Sequence, residues 1–485
     1  MPSPKGPRPS PGSHLVANLY PGADPRALEA AAARCKTLAH LLFSHSRERL
    51  VVEARCCADT LKIVPPDLTL DYRVRVRPER MREVVERLRE VGEVAAAYIV
   101  PAVATPTHAC GRLRPRKKAP VVPTPAFTAR QGYLKPASEG GVDAVAAWDR
   151  PPGGRGAGVE IVHIEGAWNF GHEDLIQNQG GAIGDQVRDY CARQHGTAVL
   201  GILGGDVGDS GVTGLCPDAL VRGIAVSWDV DPDLTELPAA IRRAANALDP
   251  GDIILLQLQH PGPTTAFQED EERKGYIPTE WWPVTFKAIR YATQARGVIV
   301  VEAAGNGTVS LDDAALDQGD VFPRTWKNPF RRASEDHDSG AILVGAGAPP
   351  DNPHGAGVRS GNHGPDRSRL PFSNYGSAVD VQAWGKEVTT CGYGSLQGGV
   401  GQEHRWYTDG FGGTSSAAPI IAGVLACVQG VLRATKGAPP LTPARARKLL
   451  RESGWEQQDA PGRPAASQRI GRRPDLRQLL ALALG

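Results

Sequence analysis

The stretch Val298-Ile299-Val300-Val301-Glu302-Ala303-Ala304-Gly305-Asn306-Gly307 decides the fold. Apolar residues dominate its first half without alternating. A strand that does not alternate is buried on both faces, as strands of a parallel sheet are. The run breaks at Gly305, and a polar Asn follows just past its carboxyl end. In open α/β sheets that end of the strands is where ligands bind.

Similar short apolar runs lie on either side, at Glu160–Ile164, Leu220–Val226, Ile253–Leu258, Ala341–Gly345 and Val379–Ala383. Helical patterns separate several of them. One places Leu237, Ile241, Ala244, Ala245 and Leu248 on a face. Another does so with Val284, Ala288, Tyr291, Ala292 and Ala295. Buried strands alternating with helices predict an α/β fold, a doubly wound and mainly parallel sheet, over 137–485. No phosphate-binding GxxxxGK[ST] loop occurs. The glycines at 153–158 precede a strand instead of opening a helix, so a dinucleotide fingerprint fails on context.

Upstream the pattern changes. Residues 1–13 are rich in Pro, Ser and Gly and read as a disordered tail. Residues 14–100 read as a small α+β domain. A strand alternates through Tyr72–Val76, a helix carries Met81, Val84, Val85, Leu88 and Val91 on one face, and a strand runs from Val94 to Val100. The preceding half offers a helix-like segment, Ala23–Cys35, and a strand-like one, Arg49–Ala54. Seven prolines and the basic cluster Arg112, Arg114, Arg116, Lys117 and Lys118 mark 101–136 as an extended, exposed linker.

The chain has 485 residues, enough for two to four domains. Lys plus Arg number 55 against 53 Asp plus Glu, so the net charge of +2 gives no lean toward nucleic acid or an anionic membrane. The longest apolar run, Ile420–Leu432, carries Gln429 and falls short of the roughly 18 residues of a membrane span. It reads as a buried helix. No apolar signal segment follows the N-terminus, so a cytoplasmic location is expected, with any export by a non-standard route. The eight cysteines are scattered without CxxC pairs, and reduced thiols are expected. Cys191 and His195 are four apart, but zinc needs two or more further ligands at suitable spacing, and none is present.

Three further segments carry chemistry. Ile161-Val162-His163-Ile164-Glu165-Gly166 ends a strand in a carboxylate. His195-Gly196-Thr197-Ala198 opens an apolar helix with a histidine. Gly412-Gly413-Thr414-Ser415-Ser416-Ala417-Ala418-Pro419 is a glycine turn leading into a helix apolar on all sides. Ser needs a base near neutral pH, and the base needs a carboxylate to fix its tautomer. A Ser at a helix N-terminus lies beside N–H groups able to hold an oxyanion. Asn306 offers a second donor. His163 and His172 read as structural, and Ser416 is the rival nucleophile. The acidic residues Asp312, Asp313, Asp317 and Asp320 match no EF-hand spacing and read as a solvated loop.

These motifs resemble those of the subtilisin-like serine proteases. The family's histidine motif is similar to His195-Gly-Thr, its serine motif to Gly413–Pro419, and its oxyanion-asparagine motif to Ala304–Gly307. Its acid motif is echoed by Ile164-Glu165 and His172-Glu173-Asp174-Leu175. The resemblance covers roughly 137–485. It implies Ser415 as nucleophile, His195 as general base, Glu165 as orienting acid and Asn306 as oxyanion donor, in an endopeptidase working through an acyl-enzyme on polypeptides. It implies no required cofactor; calcium, bound by some members, has no supporting motif here. It also implies that residues 14–100 are a propeptide-like inhibitor, the alternatives being a separate partner-binding domain or a separate inhibitor protein. Two departures stand out. Glu165 replaces the usual Asp. The substrate-edge strand, often Ser-Leu-Gly-Gly, looks here like Gln257-Leu258-Gln259-His260, which places side chains where the pocket is normally open. The rival reading is an inactive peptide-binding protein of the same fold.

Overall fold

The computed structural model describes residues 7, 9–10, 12–43, 46–61, 63–104, 122–150, 152–226, 236–317, 322–332 and 337–485. The N-terminal unit comprises β1 (His14–Leu19), α1 (Pro25–Arg34), β2 (Ala39–Leu41), α2 (Arg47–Leu61), β3 (Asp71–Val74), α3 (Pro78–Arg89) and β4 (Val94–Val100). Its antiparallel sheet has the order β2-β3-β1-β4. Two of its helices start where sequence dictates. Asp24 caps α1 through its carboxylate, and Pro25 and Pro78 each occupy a first helical position, where the missing N–H is harmless. Arg49–Ala54, strand-like in sequence, lies instead inside α2. A short apolar run does not distinguish the two periods, and here the helix wins.

The large unit contains α4 (Ala144–Trp148), β5 (Glu160–Glu165), β6 (Gln179–Ala182), α5 (Tyr190–Gly204), β7 (Leu220–Ala225), α6 (Leu237–Ala247), β8 (Ile253–Leu256), β9 (Gln259–Pro261), β10 (Tyr276–Pro278) and α7 (Pro283–Arg290). It continues through β11 (Ile299–Ala303), β12 (Ile342–Gly347), β13 (Val379–Trp384), β14 (Val388–Cys391), β15 (Tyr407–Phe411), α8 (Thr414–Ala434), α9 (Pro443–Glu452) and α10 (Leu476–Leu484). Seven parallel strands run in the order β13-β12-β11-β8-β5-β7-β6. The six apolar runs singled out in the sequence are six of the seven strands of this sheet; the edge strand β6, with two glycines, escaped notice. Strand β5 is the first in sequence yet sits inside the sheet, with β7 on one side and β8 on the other. The chain order reverses there, which opens a crevice at the carboxyl end of β5.

The two faces of the sheet have separate cores. Ile161, Val221, Leu255, Val301 and Val344 pack with α5 and α8 on one face. Val162, Ile224, Ile254, Val300 and Leu343 pack with α6 and α7 on the other. Because β5 alternates, His163 and Glu165 point to the α5–α8 side with Ile161. Helix α8 is long and apolar enough to cross a membrane, but its whole apolar window is buried in this core. Phe127, Tyr133 and Leu134, placed by the sequence in an exposed linker, are also buried in it. The linker's basic cluster lies outside the described residues.

The small sheet docks on the α6–α7 face. Val16, Tyr98 and Val100 join the core that holds Trp281 and Trp282, and Tyr98 packs edge-on against Phe322, with centroids 4.9 Å apart. Three ion pairs cross the junction: Asp71–Lys287 at 2.8 Å, Arg73–Glu236 and Glu53–Arg242.

Candidate active site

Glu165 is the last residue of β5 and is fully buried. Its Oε1 accepts the Gly166 N–H at 2.9 Å. Its Oε2 lies 2.8 Å from Nδ1 of His195, also fully buried. That contact is at ion-pair distance but outside the angular limits of a hydrogen bond. Helix α5 carries the histidine. Asp189 caps it by accepting from Ala192 N at 2.6 Å. The next residue must be glycine: a Cβ on Gly196 would lie 2.1 Å from the Ala167 carbonyl and 2.8 Å from Trp168. The helix therefore runs against the loop that follows the acid, and this close approach brings Glu165 and His195 together. Phe411 covers the imidazole edge-on at 5.6 Å.

Ser415 lies in the first turn of α8, behind Gly413 at φ 96°, a conformation suited to glycine. The Ser415 Oγ and the His195 Nε2 are both buried without a hydrogen-bond partner. Ser416 is committed elsewhere: its hydroxyl donates to the Trp384 carbonyl at 2.8 Å, which removes it as a rival. Asn306 sits beyond β11, and its Oδ1 accepts from both Thr414 N (2.9 Å) and Thr414 Oγ1 (3.0 Å). These bonds fix the amide plane beside the start of α8. Two pairs are thus joined beyond the strand ends: Glu165 with His195, and Asn306 with the turn that carries Ser415.

His163 accepts the Trp168 indole N–H at Nδ1, 2.9 Å away. Burial first, and His195 second, push its pKa well below the usual imidazole value. It stays neutral and pins Trp168 against the histidine helix. His172 accepts from Asp174 N at Nδ1 and donates from Nε2 to the Trp406 carbonyl at 2.8 Å, and burial lowers its pKa to about 4. Both are structural.

The described acidic-loop carboxylates are spoken for. Asp312 accepts from Ser377 N and Oγ, Asp313 from Ala315 N, and Asp317 from Asn328 and a two-pronged Arg331. An arginine on the carboxylate does not fit a calcium site. Asp320 lies outside the described residues. Among the described residues no group of three or more His, Cys, Asp and Glu side chains could hold a metal ion.

Two features were missed by sequence reasoning. Cys191, one helical turn before His195, is disulfide-bonded, against the expectation of reduced thiols throughout. Cys35, Cys56, Cys57, Cys216, Cys391 and Cys427 are free, and Cys110 lies outside the described residues. Scattered spacing cannot reveal a pair that only the fold brings together. The second feature is an antiparallel bridge between Ala104 and Gln259. Each backbone N–H donates to the other residue's carbonyl, at 2.9 and 3.0 Å. The segment leaving β4 therefore lies along β9 as an added strand, and His260 hydrogen-bonds the backbone of Ala102 and Pro101.

Comparison with known proteins bears on the family and the fold. A calcium-dependent protease of Trichormus variabilis is 25% identical over 323 residues, which cover 61% of this chain and 43% of that relative's length. Fervidolysin of Fervidobacterium pennivorans, described as a keratinolytic enzyme related to subtilisin, superposes with a TM-score of 0.55 at 15% identity, over 98% of this chain and 61% of its own. The second likeness concerns the fold alone. The model of the subtilase family matches residues 174–471, a span that contains His195, Asn306 and Ser415 and begins just after Glu165. This match covers more than half of the sequence, and the chain accordingly belongs to the subtilase family, the subtilisin-like serine proteases.

Proposed function

We propose that the protein is a serine endopeptidase with a Glu165–His195–Ser415 triad. The observation that carries this reading is the buried 2.8 Å contact between Glu165 Oε2 and His195 Nδ1. It leaves Nε2 to take the proton of Ser415 Oγ as that oxygen attacks a peptide carbonyl. The imidazolium then protonates the departing amine, and water hydrolyses the resulting ester with His195 again as base. Negative charge on the tetrahedral oxygen meets the first-turn N–H groups of α8 and the Asn306 amide. Glu165 orients the ring and stabilises its charged form without taking the proton.

The N-terminal unit acts in this reading as an inhibitor built into the chain. The Ala104–Gln259 bridge places its trailing segment on the strand edge where a substrate would pair, and three ion pairs plus Tyr98 hold the unit on α6 and α7. Activation requires a cut within 101–136. A fluorophosphonate probe tests the central claim. Covalent labelling that maps to Ser415 supports it, and a protein that hydrolyses no peptide and takes no label would instead be an inactive peptide binder.

A further inference from the structure

Gln257 and Gln259 replace small residues of the substrate edge, and both are fully buried. Each is anchored at one amide atom to a backbone group of the catalytic machinery. Gln257 Nε2 donates to the Ser415 carbonyl at 3.2 Å. Gln259 Oε1 accepts from Asn306 N at 2.9 Å. These backbone partners fix which atom of each amide is oxygen and which is nitrogen. The remaining atoms, Gln257 Oε1 and Gln259 Nε2, have no hydrogen-bond partner. The nearby amide of Asn374 cannot serve them, because its Nδ2 donates to the carbonyls of Tyr276 and Ala304 and its Oδ1 accepts from Val309 N. Gly305 packs against the oxygen of Gln259, so that a Cβ there would lie 3.1 Å away. The side chain has little room to turn.

A buried acceptor and a buried donor left open beside the reaction centre are costly unless a ligand completes them. We infer that they form a subsite for a carboxamide side chain, so that this protease cleaves after Asn or Gln. The inference rests on the serine protease reading above. The residue that supplies the scissile carbonyl lies between Ser415 and Asn306, next to the two anchored amides. A carboxamide offers an N–H to Gln257 Oε1 and a carbonyl to Gln259 Nε2. A carboxylate has acceptors only and would face Gln257 Oε1 with like polarity. Lysine and arginine have donors only, and leucine leaves both atoms unpaired. Discrimination of this kind is strong, because the wrong side chain leaves buried groups unmatched.

The test uses the full chain after it has matured, with fluorogenic peptides identical except for Asn, Gln, Asp, Glu, Leu or Lys before the scissile bond. We expect kcat/KM for Asn or Gln to exceed that for each of the other four by about 10- to 100-fold. In Gln257→Leu and Gln259→Leu proteins the ratio of Asn to Leu cleavage, measured within each variant, should fall at least tenfold. Fluorophosphonate labelling of the wild type runs in parallel. If Ser415 labels but Leu or Asp peptides are cut as well as Asn and Gln peptides, the subsite is wrong and the protease reading stands. If nothing labels and nothing is cut, both fall together.

Discussion

Replacing Glu165 by Gln should abolish most of the activity while leaving the shape intact, and the structure shows why. Glu165 Oε1 accepts the Gly166 N–H at 2.9 Å, and Oε2 faces His195 Nδ1 at 2.8 Å. A glutamine in the same pose must keep its oxygen on the Gly166 N–H, since an NH₂ group there would meet another donor. Its nitrogen then faces Nδ1. Two N–H groups cannot point at one another, so the imidazole shifts its proton to Nε2, the atom that must accept from Ser415. The base is then blocked and its charged form has lost its counter-ion. The loss should be about 10⁴-fold in kcat, close to 5.5 kcal/mol of transition-state stabilisation. Glu165→Asp keeps the charge and should lose less. The assay is kcat on a fluorogenic peptide between pH 6 and 10, with active-site titration to count competent enzyme and circular dichroism to confirm folding. Folded Glu165→Gln protein within tenfold of wild type would refute the assignment, and Asp174 would be the next acid to examine.

Ser415→Ala should fold normally and lose about 10⁶-fold in turnover, whereas Ser416→Ala, which removes bonds to the Trp384 and Gly413 carbonyls, should stay labelled by a fluorophosphonate; labelled Ser415→Ala would reverse the two roles. Mass spectrometry of the active protein should find a cut within 101–136, and added residues 14–100 should inhibit it; an uncut active chain indifferent to the added unit would end the inhibitor reading. Acid should cost stability through His172. Burial lowers its pKa to about 4 and that of His260 to about 3, and holds that of His163 well down. An unfolded chain binds protons at these sites that the native one refuses, so their contribution is lost as pH falls below about 6.5. The buried carboxyls of Asp174, Glu236, Glu280 and Glu302, raised to about 7 or 8 chiefly by burial, act in the opposite sense, because the native chain keeps protons there that the unfolded one gives up. Removing one imidazole isolates its share: Tm of His172→Gln should fall less than that of the wild type between about pH 6.5 and 4, and equal falls would contradict the neutral, buried assignment.

The sheet and its site were legible because they obey local rules. Strands buried on both faces announce themselves as apolar runs, as Val298–Val301 does, and Glu165, Asn306 and Ser415 stand near a strand end or helix start marked by glycine; His195, which the sequence places at the opening of a helix, lies instead inside α5, five residues past Tyr190. What escaped was non-local. Arg49–Ala54 carries a short apolar run like a strand's, yet its neighbours make it part of α2. Phe127, Tyr133 and Leu134 sit among prolines that signal an exposed linker, but the large core takes them in. Strands β9 and β10 are three residues each and pair across an intervening loop, too short to leave a period. The Ala104–Gln259 bridge joins points far apart in the chain, and no spacing rule reports it or the disulfide at Cys191.

On the built-in-inhibitor reading we propose, the bridge at Ala104 has a kinetic meaning. Only Pro101, Ala102 and Val103 separate it from the end of β4, so the occluding strand is held at an effective concentration in the millimolar range. A free peptide competing for the same edge of β9 must outbid a rival that never diffuses away, and at ordinary substrate levels it loses. A single cut in the following chain changes the molecularity of the contest. The same unit, with the same contacts, becomes a separate solute subject to dilution and turnover, and its hold then depends on how much of it remains. In that reading the switch from silent to active needs no rearrangement of Glu165, His195 or Ser415, and its sharpness is set by how fast a detached fragment leaves and is destroyed.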